Sequence, residues 1–296
     1  MELIVELTNI KFVKKYLKLK NVSHLIVGYD KLSFNSFVKF NIDELKTIYE
    51  LIKDSKVSLI LNAERLFSDE DLNFVKELIK IHFFEMFDYV MYSDFGFKNL
   101  LEEELVKIKY IFKASTYLTN YQDINEYSML NDLVVASSEI SSKELIELSK
   151  KVNKDIVIDL FGRSACFYSR RNLISNYFKY RGISNDINKN NYSVVEELRD
   201  DFLPIIENEI GTVILEPKFH LLAEELEEIE HATFGLIYLN NLNQKSSLVV
   251  VAAFNDLIET KDYKTFYNLL DDASIPYYKG AYNIKSVLLK GGSSNE

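Results

Sequence analysis

At 296 residues, with 47% hydrophobic and 27% charged side chains, the chain has a globular composition and length for one large domain with an insertion. No run of about 18 apolar residues offers a membrane span, and the single cysteine, Cys166, excludes an internal disulfide or a multi-cysteine metal or iron–sulfur site. A net charge of −10 repels polyanions, so contact with nucleic acid needs basic groups concentrated locally.

The amino terminus, MELIVELTNIKFVKK, begins with an acidic residue and a short apolar run. It lacks the basic region and long apolar core of a secretory leader, so the expectation is a cytoplasmic protein with no membrane association. From there, short β-rich runs alternate with longer amphipathic ones, the pattern of βα units and a parallel sheet. Strands are predicted at Leu3–Leu7, Leu25–Tyr29, Ser58–Asn62 and Asp88–Ser93, then at Tyr110–Ala114, Leu133–Ser137, Ile156–Leu160 and Phe234–Leu239.

Helices are predicted between them. NIDELKTIYELIKD is one, and SDEDLNFVKELIKIHFF is another, with Ser68 and Asp71 spaced as a capping box. In SSKELIELSKK, Ser141 or Ser142 can cap, while Leu145, Ile146 and Leu148 face inward. The alternation fails at about residues 185–216, where short β-like runs are joined by polar turns. A helix near Lys218–Ile229 then places Leu226 and Ile229 inward, with glutamates outside, and helices follow near Leu248–Thr260 and Tyr263–Asp272. The expected fold is α/β, a TIM-like (β/α) barrel over residues 1–290 with a small antiparallel insertion after strand seven and a flexible tail at 291–296.

In such a fold the working residues sit where strands end. That rule selects Asn62 after the third strand, Ser93 and Asp94 after the fourth, and Ser115, Thr116 and Asn120 after the fifth. Ser137 follows the sixth strand, and Arg163 and Ser164 the seventh. These residues suit a polar pocket for a small molecule or a flipped base. The same residue types also serve strand-to-helix turns as caps and Asx turns. His24, His82, His220 and His231 never fall at His-x-His or i,i+4 spacing, so they predict no metal site. No Gly-x-Ser-x-Gly elbow occurs. Cys166 is a thiolate nucleophile if neighbouring arginines lower its pKa, or a small apolar residue if they do not.

One segment stands out. FGRSACFYSRRNLISNYFKYRG, Phe161 to Gly182, holds five basic residues, three tyrosines and the cysteine, with no acid. Arg163, Arg170 and Arg171 offer planar forks for phosphate or carboxylate, and Tyr168, Tyr177 and Tyr180 offer stacking faces for unpaired bases. The alternative is a solvated basic helix, or arginines paired with the chain's many carboxylates.

This segment resembles the motif region of the collagenase-like peptidase family U32. There a strand ends in His-Gly, followed by a Cys, an aromatic-Ser pair, a basic residue, a second Cys and Leu-Leu-Ser. Here Phe161-Gly162 takes the His-Gly place, Ala165 the first Cys, Tyr168-Ser169 the aromatic-Ser pair, Arg171 the basic residue and Asn172 the second Cys. Leu173-Ile174-Ser175 completes it, and Cys166 stands one place out of register. YSDFG at Tyr92–Gly96, ASTYLTN at Ala114–Asn120 and ENEIGTVILEPK at Glu207–Lys218 extend the likeness in order along the chain.

Some members of that family are described as proteases, while cluster-bearing members work in oxygen-independent hydroxylation of RNA bases and a quinone ring. YSRRNLISNYFKYRG is most similar to a short, cysteine-poor subfamily implicated in making 5-hydroxyuridine at the tRNA wobble position beside a cysteine-bearing paralogue. The resemblance implies a cluster-free accessory subunit, with no cofactor of its own and an iron–sulfur cluster in the partner, in contact with tRNA. Asn62, Asp94, Thr116, Asn120, Arg163, Ser164, Tyr168, Ser169, Arg170 and Arg171 are the expected ligand contacts, and no residue is assigned to bond cleavage. A stand-alone collagenase-like peptidase and a non-catalytic small-molecule-binding barrel are the alternatives.

Overall fold

A computed structural model describes residues 1–34, 36–114, 117–183, 192–195, 197 and 201–278. The chain opens with β1 (Glu2–Glu6), the short α1 (Val13–Tyr16), β2 (Val22–Tyr29) and the two-residue β3 (Lys39–Phe40). Then come α2 (Ile42–Ile52), β4 (Ser58–Ala63), α3 (Asp69–Lys80), β5 (Tyr89–Tyr92) and α4 (Phe95–Glu103). Next are β6 (Lys109–Phe112), α5 (Tyr121–Leu130), β7 (Leu133–Val134), α6 (Ser142–Ser149) and β8 (Ile156–Gly162).

Helix starts follow the sequence closely. Asn41, Ser68 and Ser141 each accept from the backbone amide three residues on, while Glu44, Asp71 and Glu144 reach back to the cap amide. Each such cap contributes about 0.5–2 kcal/mol.

The fold is α/β, with a central, mostly parallel sheet. β8, β14 (Ala232–Ile237), β1, β2, β4, β5, β6 and β7 lie side by side in that order, every neighbouring pair parallel. An isolated parallel bridge from Val135 to Val157 also links the chain just after β7 to β8. Strand alternation divides the apolar residues between two faces. Leu3, Val5, Leu25, Val27, Leu59 and Leu61 pack under the helices in the large core. On the other face Ile4, Ile26, Ile60, Met91, Ile111, Val135, Val157 and Leu236 form a separate inner cluster to which each of the eight strands, or the residue just beyond it, contributes.

A second, antiparallel sheet rises beyond β8. Its order is β10 (Tyr192–Val195), β11 (Phe202–Asn208), β12 (Gly211–Leu215) and β9 (Ala165–Ser169). β9 therefore joins this sheet before α7 (Leu173–Arg181) begins, earlier in the chain than the break in alternation suggested. Phe34, Ile210, Val213 and Leu215 seat it on the main body. Gly211 makes the β9–β12 approach possible, since a Cβ there would lie 2.2 Å from the Ser169 carbonyl oxygen.

The helix expected over Lys218–Ile229 is absent. Phe219–Leu221 instead forms β13, antiparallel to β8, and the acidic run beyond it makes turns. Phe219 and Leu221 sit in the core, and pairing with β8 outweighs the helical propensity of the glutamates. Ile229 is buried and Leu226 packs on the core, so their inward sense is kept. α8 (Gln244–Thr260), α9 (Tyr263–Asp272) and β15 (Tyr277–Tyr278) close the described chain. Asn243 caps α8, which starts four residues ahead of the predicted Leu248.

Candidate functional site

The inner cluster locates the site by counting. Two residues beyond each inner apolar side chain, toward the carboxyl end, stand Glu6, Gly28, Asn62, Ser93, Lys113, Ser137, Asp159 and Tyr238. The period of two sends these residues to the same inner face, one layer above the apolar one. Two charges, a carboxylic acid and a phenol therefore end up in the interior, where they survive only if paired or hydrogen-bonded.

They are paired. Lys113 Nζ lies 3.4 Å from Asp159 Oδ1 and 3.8 Å from Glu64 Oε1, with the Tyr238 ring centre 4.3 Å away. The Tyr238 hydroxyl donates to Glu64, and the Leu239 amide donates to Glu6 at 2.7 Å. Asn62, fully buried, donates to Ser36 Oγ at 2.9 Å and accepts from the Glu64 amide at 2.9 Å, fixing the turn that presents Glu64.

The electrostatics follow from burial. Burial pushes Glu6 up to about 8, with Glu64 adding to the rise and the Leu239 amide and Lys113 opposing it. Burial alone would lower Lys113, but Asp159, Glu64 and the more distant Glu6 outweigh it and hold the ammonium above the ordinary lysine value. Burial, then Glu64, lifts the Tyr238 phenol well above its usual range. His220, on β13, is pushed down to about 4 by burial despite Asp159.

These groups floor a cavity of about 50 Å3 at the carboxyl ends of the parallel strands. It holds a few waters, or one end of a ligand. Glu64, Lys113, Asp159 and Tyr238 line its floor, and Arg163, Ser164, His220 and Asn240 line its upper wall. Ser164 Oγ is 3.4 Å from His220 Nδ1. A serine and histidine in contact suggest a nucleophile and base, but a histidine near pKa 4 is a weak base at neutral pH. Lys113 is protonated there, so it is a fixed cation and not a Schiff-base amine. The constellation can bind, orient and stabilise developing negative charge.

Of the sequence-selected residues, Ser137, Arg163 and Ser164 line the cavity, and Asn62 supports Glu64 behind it. Asp94 caps α4, accepting from Phe97 N at 3.1 Å and also from Phe67 N at 3.1 Å. Asn120 caps α5 through Gln122 N and Asp123 N. Thr116 and Ser115 lie outside the described residues. Tyr168 packs edge-on against Phe34, at 4.5 Å between ring centres, in the contact between the two sheets. Ser169 Oγ accepts from Arg171 N at 3.1 Å. Arg170 pairs with Asp71 at 3.5 Å, tying β9 to the start of α3, while the Arg171 side chain is exposed. Cys166 is exposed, its thiol 3.3 Å from the Ile214 carbonyl, and Ala165 beside it lines the cavity instead.

The sequence model of peptidase family U32 matches residues 15–267, so the chain belongs to that family. A Bacillus subtilis (strain 168) protein, tRNA hydroxylation protein P2, is 22% identical over 209 residues, covering 69% of this chain and 68% of that one. The solved structure of a U32 peptidase superposes with a TM-score of 0.49 at 11% identity, over 80% of this chain and 92% of its own. A chitinase from Chromobacterium violaceum superposes at 0.43 with 8% identity, over 85% and 98%.

The segment of family resemblance has a physical logic. Asn172, at the place of the family's second cysteine, precedes α7 but makes no side-chain cap. Glu207 takes that task, accepting from Ile174 N at 2.7 Å and from the Ser175 hydroxyl, with Thr212 Oγ1 at 3.2 Å. The Glu-x-x-x-Gly-Thr run thus anchors the basic helix to the second sheet.

Proposed function

We propose that this chain is a cluster-free subunit of a cytoplasmic tRNA-hydroxylating system that makes 5-hydroxyuridine at the wobble position. Its partner is a cysteine-bearing U32 paralogue carrying the iron–sulfur cluster. Family membership and the likeness to a protein described as tRNA hydroxylation protein P2 support the reading. The observation that carries it is the ion-paired Lys113, a cation fixed in the polar floor of the cavity.

In this reading the eight parallel strands form a TIM-like barrel closed through the Val135–Val157 bridge. The cavity holds a small donor or the target base, with Arg163 and Ser164 in direct contact. Tyr168, Ser169, Arg170 and Arg171 form the rim toward tRNA, and Asn62, Asp94, Thr116 and Asn120 keep the neighbouring loops in place. Affinity capture of the tagged chain from its own host tests the partnership. Co-recovery of a brown, cluster-bearing paralogue is the expected result, and a colourless chain recovered alone contradicts it.

The Ser164–His220 contact favours a second reading, a stand-alone peptidase. Peptide turnover by the purified chain that disappears in Ser164→Ala would establish it.

A further inference from the structure

Among the described residues, Arg163 is a cation without a counterion. It follows Gly162 at the end of β8, and its guanidinium carbon lies 4.5 Å from the centre of the Phe219 ring. Its Nε is sealed from solvent with no hydrogen-bond acceptor. Burial lowers its pKa, and no neighbouring carboxylate offsets that cost. The acids lining the same cavity are no remedy: Asp159 and Glu64 are turned to Lys113, and Glu139, the third carboxylate of the lining, makes no ion pair with Arg163. Among the described residues the other inward basic groups, Arg65, Lys98 and Lys113, are all ion-paired, but this one is not.

Leaving a half-buried charge unbalanced is costly, and a protein tolerates it where a ligand supplies the missing charge. We propose that Arg163 anchors the oxyanion of a small ligand, a carboxylate or a phosphate, seated in the cavity with Ser164 beside it. The Phe219 face holds the guanidinium plane, so its fork meets a planar or tetrahedral oxyanion without first being ordered. Ser164 adds a neutral hydroxyl donor at the same wall, and Lys113 stays the fixed cation of the floor. The inference rests on reading this cavity as a ligand site and adds the charge and anchor of the ligand.

The test is the thermal unfolding midpoint of the full chain titrated with sodium acetate and, separately, with inorganic phosphate, against sodium chloride at matched ionic strength. The wild type should show a saturable rise beyond the chloride control in at least one arm, and the arm that responds identifies the oxyanion. Arg163→Gln should abolish the rise, and without anion it should melt no lower than the wild type, because an uncompensated charge has been removed. Arg163→Lys, which keeps the charge but loses the fork, should weaken the apparent affinity about tenfold. An identical response in wild type and Arg163→Gln overturns the proposal, as does the absence of any rise beyond chloride. If Arg163→Gln does not fold, an unchanged affinity in Arg163→Lys has the same force. Full 5-hydroxyuridine in cells carrying only Arg163→Gln, with the anion response lost, would leave the anion site standing and remove this cavity from the proposed function. Loss of the modification with an unchanged anion response would do the reverse.

Discussion

Lys113 Nζ stands 3.4 Å from Asp159 Oδ1, and that contact organises the interior above the inner apolar layer. Glu64, just beyond β4, approaches the same ammonium and receives the Tyr238 hydroxyl. The whole group is buried, so each member depends on the others.

Removing the cation should therefore cost much more than its contacts alone are worth. Lys113→Met leaves two buried carboxylates unpaired and should destabilise the chain by about 3–5 kcal/mol. Adding Asp159→Asn and Glu64→Gln should recover most of that loss. Urea denaturation measures both, and a loss under about 1 kcal/mol in the single variant would show that the pair is not buried as described.

Stability should pass through a maximum near pH 6.5. His220 and His24 are both pushed down to about 4 by burial, so the unfolded chain binds more protons there between about pH 4 and 6.5, and stability rises with pH in that window. Glu6 is pushed up to about 8, so the folded chain holds its proton while the unfolded chain releases it, and stability falls between about pH 4.5 and 8. Two rising contributions outweigh one falling contribution below 6.5, and the falling one acts alone above it. Glu6→Gln should flatten the upper limb and stabilise the chain by roughly 2–3 kcal/mol at pH 7. Denaturation from pH 4.5 to 8.5 checks this, and an upper limb unchanged by Glu6→Gln would refute the assignment.

Glu207 holds α7 where Asn172 does not. Glu207→Ala strands the buried Ile174 amide and the half-buried Ser175 amide and hydroxyl, while Thr212 keeps the Arg171 carbonyl, at a cost of about 2–4 kcal/mol. Hydrogen exchange should quicken first in α7. Uniform loosening of the main sheet instead would mean that the helix and second sheet do not form a separate unit.

The basic segment makes a prediction that depends on salt. Tyr177 and Tyr180 are 56% and 86% exposed on α7, beside Lys179 and Arg181 in its last turn. Binding of an anticodon stem-loop through three to five of these basic residues should give a log–log salt slope of about −2 to −4. Lys179→Ala and Arg181→Ala should each flatten it by about 0.7. A slope unaffected by either change places the RNA elsewhere.

Much of this was legible in the sequence. All eight predicted parallel strands exist, because each is a β-rich run bounded by turn residues, and capping boxes such as Ser68–Asp71 marked the helix starts. The site was less legible. Asp94 and Asn120 drew attention as polar residues after strands, and they are caps, the other use of those residue types. Glu6, Lys113 and Asp159 are not legible as site residues, because they belong to the strands or follow them directly, where charge looks like a solvated edge. The period-two step from Ile4, Ile111 and Val157 would have turned them inward once the inner face was known. His220 and Tyr238 come from β13 and the end of β14, which only the folded chain brings beside β8. β13 itself was hidden by the glutamates that follow it.

The most direct measurement is the nucleoside content of tRNA from the native host lacking this chain, complemented with wild type or with Lys113→Gln. The account predicts that 5-hydroxyuridine disappears without the chain, returns with the wild type and fails to return with soluble Lys113→Gln. Unchanged 5-hydroxyuridine in the host lacking the chain would contradict it.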